Sequence, residues 1–394
     1  MSKCEIKPGI YWVGGIDWDL RSFHGYSTRR GTTYNAYLII DEKVVLVDTV
    51  KHYLFDEMLS RIAEVIDPSK IDIIVSNHSE MDHSGSLTRM VRLCPKAELV
   101  CSPNGQKNLS RHFKEGWNFR VVRTGDAIRI GRRTLAFQLM PMVHWPDSMA
   151  TYIPEEKLLL PNDAFGQHIA SAERFDDQLD WGILKEEAAK YYANIVLPYG
   201  DQVKAALGAL TALPIDMIGP SHGIIWRKHI PRILAEYSKW CANETGKRAL
   251  IVYDTMWGST QRIADRLRQG LEDAGVPVSL KRLGATDMSD VATELLSARL
   301  VLVGSPTLNN GMLPSMGAFL TYIKGLRPKR RIGLAFGSYG WGGQALEELE
   351  TAMKDMGWEL PRKGINLKFI PDEEELASCR DIGRALGELL KTKD

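Results

Sequence analysis

The chain has 394 residues, 44% of them apolar and 25% charged, with a formal net charge of +1. That length predicts two domains of ordinary globular composition, and the near-neutral balance excludes the basic excess that broad nucleic-acid binding needs. Five dispersed cysteines without a C-x-x-C pair exclude an appended cysteine-rich iron or zinc module and predict reduced thiols.

In chain order, a β-branched and aromatic run at 33–40, a turn at 41–43 and a second run at 44–48 predict a hairpin. A helix is predicted over 53–66, stopped by Asp67-Pro68, and a buried strand over 71–76. Further strands are expected at 97–101, 119–122, 134–139 and 158–160. Strands with intervening helices fit an α/β sandwich rather than a wound parallel sheet. A helix over 230–240 then runs into a polar linker at 242–248, so the expected domains are 1–245 and 246–394. Beyond the linker the rhythm becomes strand–loop–helix. Strands are predicted at 249–253, 278–282, 300–304, 331–337 and 367–370, with helices at 261–274, 291–297, 316–325, 344–356 and 372–391. Five such units predict a doubly wound parallel sheet of flavodoxin size.

The strand at 71–76 runs into Asn77-His78-Ser79-Glu80-Met81-Asp82-His83. A strand that stops at His, Glu, Asp and His delivers those side chains to a sheet edge. The spacing predicts that the backbone breaks into a loop and splays them around two centres. His144, Asp163 and His222, at strand ends or in Pro/Gly-rich loops, complete a set of four imidazoles and three carboxylates. Seven such groups hold two metals if one carboxylate bridges. Imidazole suits Zn, Cu, Fe and Ni, carboxylate oxygen favours harder ions, and three carboxylates offset much of the charge of an iron pair. A non-haem diiron centre is the leading reading and a dizinc hydrolytic centre the alternative. Singly, each residue is more often a hydrogen-bonded loop residue or a cap; the seven together point to metal. His24 and His168 either attend the site or satisfy local hydrogen bonds, and Tyr191 or Tyr192 either lines the pocket or packs.

In the second half, Thr255-Met256-Trp257-Gly258-Ser259-Thr260 opens a helix after the first strand. Hydroxyls and backbone N–H groups at a helix N-terminus make a phosphate site without a basic residue. Two more loops follow strand ends, where open α/β sheets bind ligands. One contains Pro306, Thr307, Asn309, Asn310 and Gly311; the other is Ser338-Tyr339-Gly340-Trp341-Gly342-Gly343. Their small residues let backbone amides approach a flat ring, and Trp341 can cover it. The expected cofactor is FMN; without G-x-G-x-x-G, NAD(P) is not expected.

H-x-E-x-D-H followed by His, Asp and His resembles the metallo-β-lactamase-like domain of flavodiiron proteins. Hydrolytic relatives carry His at the second position, where this chain has Glu80. The resemblance covers nearly the whole chain and implies an N-terminal metallo-β-lactamase-like αββα sandwich and a C-terminal flavodoxin-like domain. It implies one iron held by His78, Glu80 and His144 and a second by Asp82, His83 and His222, with Asp163 bridging. His24 and Tyr192 are the catalytic candidates beside the irons. Trp257 departs from the usual flavodoxin loop S/T-x-T-G-x-T, as flavodiiron members do. The implied activity is reduction of O2 to water, of NO to N2O, or of both, with electrons entering at FMN from a donor such as rubredoxin. A head-to-tail homodimer, possibly a tetramer, is implied too. The alternative is a dizinc hydrolase with a flavodoxin-like regulatory domain. No run approaches membrane-spanning length and no secretory h-region opens the chain, so the expected location is the cytoplasm. The basic run at 327–331 reads as a solvated loop or a docking patch for an acidic donor.

Overall fold

The computed structural model describes residues 3–393. They divide into two compact units. One comprises the chain up to Tyr191 with Tyr199–Ser238; the other comprises Tyr192–Pro198 and the chain from Lys239 onward.

The first unit is built on two sheets. The larger runs Cys4–Lys7, Ile10–Trp12, Tyr37–Ile40, Val44–Val47, Ile73–Ser76, Glu98–Cys101 and Phe119–Val121 in spatial order. The smaller runs Ala127–Arg129, Thr134–Leu139, Met149–Ile153, Leu158–Leu160 and Met217–Ile218. Alternation along the strands assigns their faces. Val45, Val47, Ile73 and Val75 meet Leu135, Phe137, Met149 and Leu158 between the sheets. Leu38, Leu46, Ile74 and Leu99 pack instead on Phe55, Met58, Ile62, Met90 and Leu109 of the outer helices. The strand Ile73–Ser76 is buried on both faces, which is why its sequence reads as an unbroken apolar run.

The predicted hairpin forms, with Tyr37 opposite Val47 and Ile40 opposite Val44. The run at 33–40 does not continue as one strand, however; Thr32–Tyr34 pairs with Gly15–Asp17. Asn35 causes the break. Its N–H donates to the Ser221 carbonyl at 2.7 Å, and its side chain accepts from the Trp12 indole at 2.8 Å. The predicted helix at 53–66 is Phe55–Ala63, preceded by a tight turn at His52–Leu54. Sequence reasoning missed the helices Pro103–Phe113, Trp181–Tyr191 and Gly200–Leu210. The Pro103-Asn104-Gly105 run resembles a turn, but Ser102 caps the Gly105 N–H at 3.0 Å and Pro103 sits where a helix tolerates it.

The second unit is a parallel sheet in the order Val278–Arg282, Gly246–Tyr253, Ala298–Leu308, Ile332–Tyr339, Ile365–Lys368. Counting strands along the chain, this is the flavodoxin order 2-1-3-4-5. One face packs on the helices Ser259–Asp273 and Glu373–Thr392. The other packs on Met288–Glu294, Pro314–Leu326 and Gln344–Asp355. In the basic run Arg327, Lys329 and Arg330 are exposed, but the fourth cation is not. Arg331 is buried and donates to the Leu295 and Lys329 carbonyls, while the Trp358 indole donates to Pro328 O at 3.0 Å.

Candidate metal centre and flavin cleft

Loops at one end of the two sheets bring the predicted ligands together. The strand Ile73–Ser76 stops because Asp48 takes over the next backbone N–H: Asn77 N donates to Asp48 Oδ1 at 2.7 Å and its side-chain amide to Oδ2 at 3.0 Å. The chain then turns into the single helical turn Met81–Ser84, which separates His78 and Glu80 from Asp82 and His83. Asn162, in the left-handed region at φ 56°, reaches the same Asp48 and orients the loop that carries Asp163. Ser221 N bonds the Asn162 carbonyl at 2.7 Å, tying the His222 loop to it.

The seven side chains form two groups. His78, Glu80, His144 and Asp163 are one; Asp82, His83 and His222 are the other, and within each the ligand atoms lie within 4.8 Å of one another. In the first, Glu80 Oε2 is 3.2 Å from His78 Nε2 and 3.3 Å from His144 Nε2. In the second, Asp82 Oδ2 is 3.2 Å from His222 Nε2 and 3.4 Å from His83 Nε2. Asp163 faces both. Its Oδ2 is 3.2 Å from His144 Nε2 and 3.6 Å from His78 Nε2, and its Oδ1 is 3.0 Å from His83 Nε2 and 3.5 Å from His222 Nε2.

The donor set suits cations rather than itself. Both oxygens of Asp82 and of Asp163, and Nε2 of His83, are buried without a hydrogen bond of proper geometry. Buried polar groups are otherwise paired, so atoms that converge without bonding one another are suited to ligate an ion between them. The electrostatics agree. Burial opposes charge on His83, yet Asp82 and Asp163 overcome it and push its pKa up to about 9. Burial also opposes the Glu80 and Asp163 carboxylates, but the facing imidazoles hold both below the usual carboxylate range. Without metal, protons on histidine stand in for the missing positive charge, and metal binding displaces them.

The sign of the consequence is fixed. A folded-state pKa raised from 6.5 to about 9 gives His83 a stabilising contribution complete below about pH 6.5 and lost as pH rises through about 9. Chelator-stripped protein is expected to lose stability across that interval in urea titrations, and a His83→Asn chain to lose less of it. Equal slopes in the two chains would remove His83 from the account.

The imidazoles are also oriented from behind. His78 Nδ1 lies 3.2 Å from Asp147 Oδ2, and His222 Nδ1 lies 2.9 Å from the Thr33 carbonyl, so both present Nε2 to the cluster. Sequence reasoning did not anticipate Asp147 in this role. His24 Nε2 is 2.6 Å from Glu80 Oε1, and its ring is 62% exposed. His168 is buried, with Nδ1 2.7 Å from Thr32 Oγ1 and its ring 4.8 Å from that of His222. Burial, reinforced by His222, holds its pKa well below the usual imidazole range. Of the adjacent tyrosines, it is Tyr191 whose ring lies 5.8 Å from that of His222. Tyr192, the one selected from the sequence, begins the wider helical turn Tyr192–Val196 and packs its ring against that of Trp240, tilted by 45° with centroids 5.2 Å apart.

In the second unit a cavity of about 950 Å³ opens at the C-terminal ends of the strands. Thr255, Met256, Trp257, Ser259, Pro306, Thr307, Asn309, Asn310, Ser338, Tyr339, Gly340, Trp341 and Gly342 line it as expected. Phe369 and Ile370 line it too and were missed. The fifth strand ends at Lys368, two residues before its predicted end, which puts these apolar residues in the loop rather than the sheet. Four predicted residues support the cleft from behind. Thr260 Oγ1 and Ser338 Oγ lie 2.9 Å apart, and Gly258 holds φ 89° just before the helix Ser259–Asp273. Gly311 pairs with Leu308, and Gly343 precedes the helix Gln344–Asp355.

A buried His/carboxylate cluster on a two-sheet α/β unit, followed by a flavodoxin-like unit with a cleft at its strand ends, defines a metallo-flavoprotein class. Residues 32–223 match the ODP family beta lactamase and residues 251–383 match Flavodoxin. The chain is 47% identical to a nitric oxide reductase of Moorella thermoacetica, over 97% of each chain. It is 39% identical to the rubredoxin oxygen:oxidoreductase of Desulfovibrio gigas, covering 99% of each chain with a TM-score of 0.97. It is 35% identical to the flavodiiron protein of Giardia intestinalis, over 99% of this chain and 97% of that one, again with a TM-score of 0.97. The chain belongs to the flavodiiron protein family, as its metal-ligand pattern led one to expect.

Proposed function

We propose that this protein passes electrons through FMN to a non-haem diiron site that reduces O2 to water, NO to N2O, or both. The observation that carries the reading is Asp163, whose two oxygens each face a different pair of histidines. His78, Glu80 and His144 would hold one iron, Asp82, His83 and His222 the other, and Asp163 both. A bound iron pair supplies redox capacity and Lewis acidity to a small gaseous substrate. The protein's own part is to fix the imidazoles from behind and keep the pocket buried, with His24 and Tyr191 at its edge. FMN would set its phosphate on the hydroxyls and N–H groups of 255–260, with the ring between the other two loops.

The domains are taken to be residues 1–245 and 246–394, and the location the cytoplasm; among the described residues no helix is long and apolar enough to cross a membrane. A small redox protein such as rubredoxin would be the electron donor. The exposed large apolar side chains favour a head-to-tail dimer. Met256, Trp257, Trp341, Phe369 and Ile370 ring the flavin cleft, while Trp18, Tyr53 and Met81 lie in the first unit near the cluster's loops. Pairing the two patches between copies would cover both.

Anaerobic turnover of the FMN-reduced, iron-loaded enzyme against O2 and NO at matched concentration tests the reading. A large rate ratio assigns the substrate, and comparable rates assign both; no turnover with either returns the dizinc hydrolase to first place. The backing carboxylate gives a second check. Asp147→Asn should weaken iron retention by roughly 10- to 100-fold, since such partners set ligand basicity and tautomer. Chelator competition measures it, and retention equal to the unaltered chain would deny Asp147 that role.

A further inference from the structure

Reduction of either gas consumes a proton for every electron. That requirement rests on the function proposed above. Asp82 and His222 are buried, so protons bound for that half of the cluster must cross protein. Tyr34, fully buried, sets its ring edge-on against His222 with centroids 5.4 Å apart, and Asp82 is the carboxylate that acts on it most strongly. Its hydroxyl makes no hydrogen bond of ordinary geometry, but it lies close enough to the Tyr53 hydroxyl for the two to interact. Outward of it, Tyr53 is half-exposed and donates its phenolic proton to Asp17. Lys51 Nζ lies 5.8 Å from the Tyr34 ring centroid and 5.5 Å from that of Tyr53, so the two phenols flank one ammonium.

We propose that Asp17, Tyr53 and Tyr34 form a proton relay from solvent to the Asp82–His222 half of the cluster. In each passage Asp17 takes a proton from water and hands it to the Tyr53 oxygen. Tyr53 gives its own proton to the Tyr34 oxygen, and Tyr34 releases its own toward the Asp82 side. Each oxygen gains one O–H bond as it loses one, so neither phenol ionises; solvent is the source and product water the sink. The hydroxyls then rotate back. No hydrogen bond of ordinary geometry holds the Tyr34 O–H in one orientation, which leaves that rotation free. The Glu80 half has its own solvent-facing neighbour in His24.

The test compares the FMN- and iron-loaded enzyme with Tyr53→Phe, which removes one half-exposed hydroxyl and keeps the ring. Saturated turnover should fall on the order of 10- to 100-fold at unchanged KM, with iron and FMN content unaltered. Proton uptake, followed with a pH indicator, should lag flavin reoxidation in the variant and keep pace with it in the unaltered enzyme. A small weak-acid buffer should restore the variant's rate in a concentration-dependent way. Asp17→Asn and Tyr34→Phe should behave alike, and Tyr34→Phe/Tyr53→Phe should be no slower than either single change, because a series path broken once is already broken. Uptake that keeps pace in Tyr53→Phe, or that lags only in His24→Asn, overturns the relay. An unaltered enzyme that reduces neither gas overturns the function itself and the relay with it; a live one with an unaffected variant overturns the relay alone.

Discussion

Asp163→Ala is expected to cost the protein both metals and, with them, gas reduction by on the order of 10³-fold or more. Each Asp163 oxygen lies within 3.6 Å of two imidazole nitrogens, one pair from each group. Removing the carboxylate therefore takes a ligand from both centres at once, together with one of the three negative charges that balance them. Loss of Asp82 would instead strip one group, leaving His78, Glu80, His144 and Asp163 intact. Iron per chain should fall from two to well under one in Asp163→Ala, against about one in Asp82→Ala. The metal-free state separates this account from a structural one. Asp163 anchors its loop through its backbone carbonyl, which accepts from Gly166 N at 3.0 Å, and its side-chain oxygens make no hydrogen bond of proper geometry. Chelated Asp163→Ala should accordingly lose only the pairing of Asp163 with protonated imidazole, a difference from the chelated unaltered chain that narrows as pH rises through about 9 and His83 loses its proton. A metal-free loss of several kcal/mol that persists unchanged above about pH 9 would make Asp163 a structural residue and sink the bridging role.

The candidate metal ligands were legible in the sequence because their chemistry is concentrated. Four lie in six residues after an apolar run, and the expectation of a loop splaying them around two centres is what the turn Met81–Ser84 produces. The supports were harder to read, because their signal is spatial. Asp147 reaches His78 from 69 residues away, and Thr33 reaches His222 from 189. Neither has a local pattern that marks it as a partner. Tyr191 and Tyr192 illustrate another limit: adjacent residues on a helix point about 100° apart, and only the exact helix end decides which one faces the cluster. In the second unit the strand–helix rhythm fixed the topology, yet the last strand was placed two residues late. That slip hid Phe369 and Ile370, whose apolar side chains suit a strand as well as a cleft wall.

Gly270→Ala is expected to destabilise the second unit by several kcal/mol, although alanine is the better helix former by about 1 kcal/mol. The reason is the approach of the helices Ser259–Asp273 and Glu373–Thr392. A Cβ on Gly270 would lie 1.9 Å from the Arg380 carbonyl oxygen and 2.7 Å from Arg384 N. Reciprocally, a Cβ on Gly383 would lie 2.3 Å from the Leu267 carbonyl. Backbone meets backbone at both points, so no flexible side chain can swing aside, and the helices must separate. Leu267 and Leu271 on one helix and Leu386 and Leu390 on the other belong to the same core cluster as strand residues Tyr253 and Phe336. Separation would loosen the packing under Ser259, where the first helix begins beneath the flavin cleft, so FMN affinity should fall with stability. Gly325→Ala is the control: it too is helical, and a Cβ there meets nothing within 4 Å. It should leave stability unchanged or raise it by up to about 1 kcal/mol. Urea titrations followed by flavin fluorescence measure both, and the two substitutions are expected to move the midpoint in opposite directions. If Gly270→Ala raised the midpoint as Gly325→Ala does, the close backbone crossing would not be what holds the two helices under the cleft.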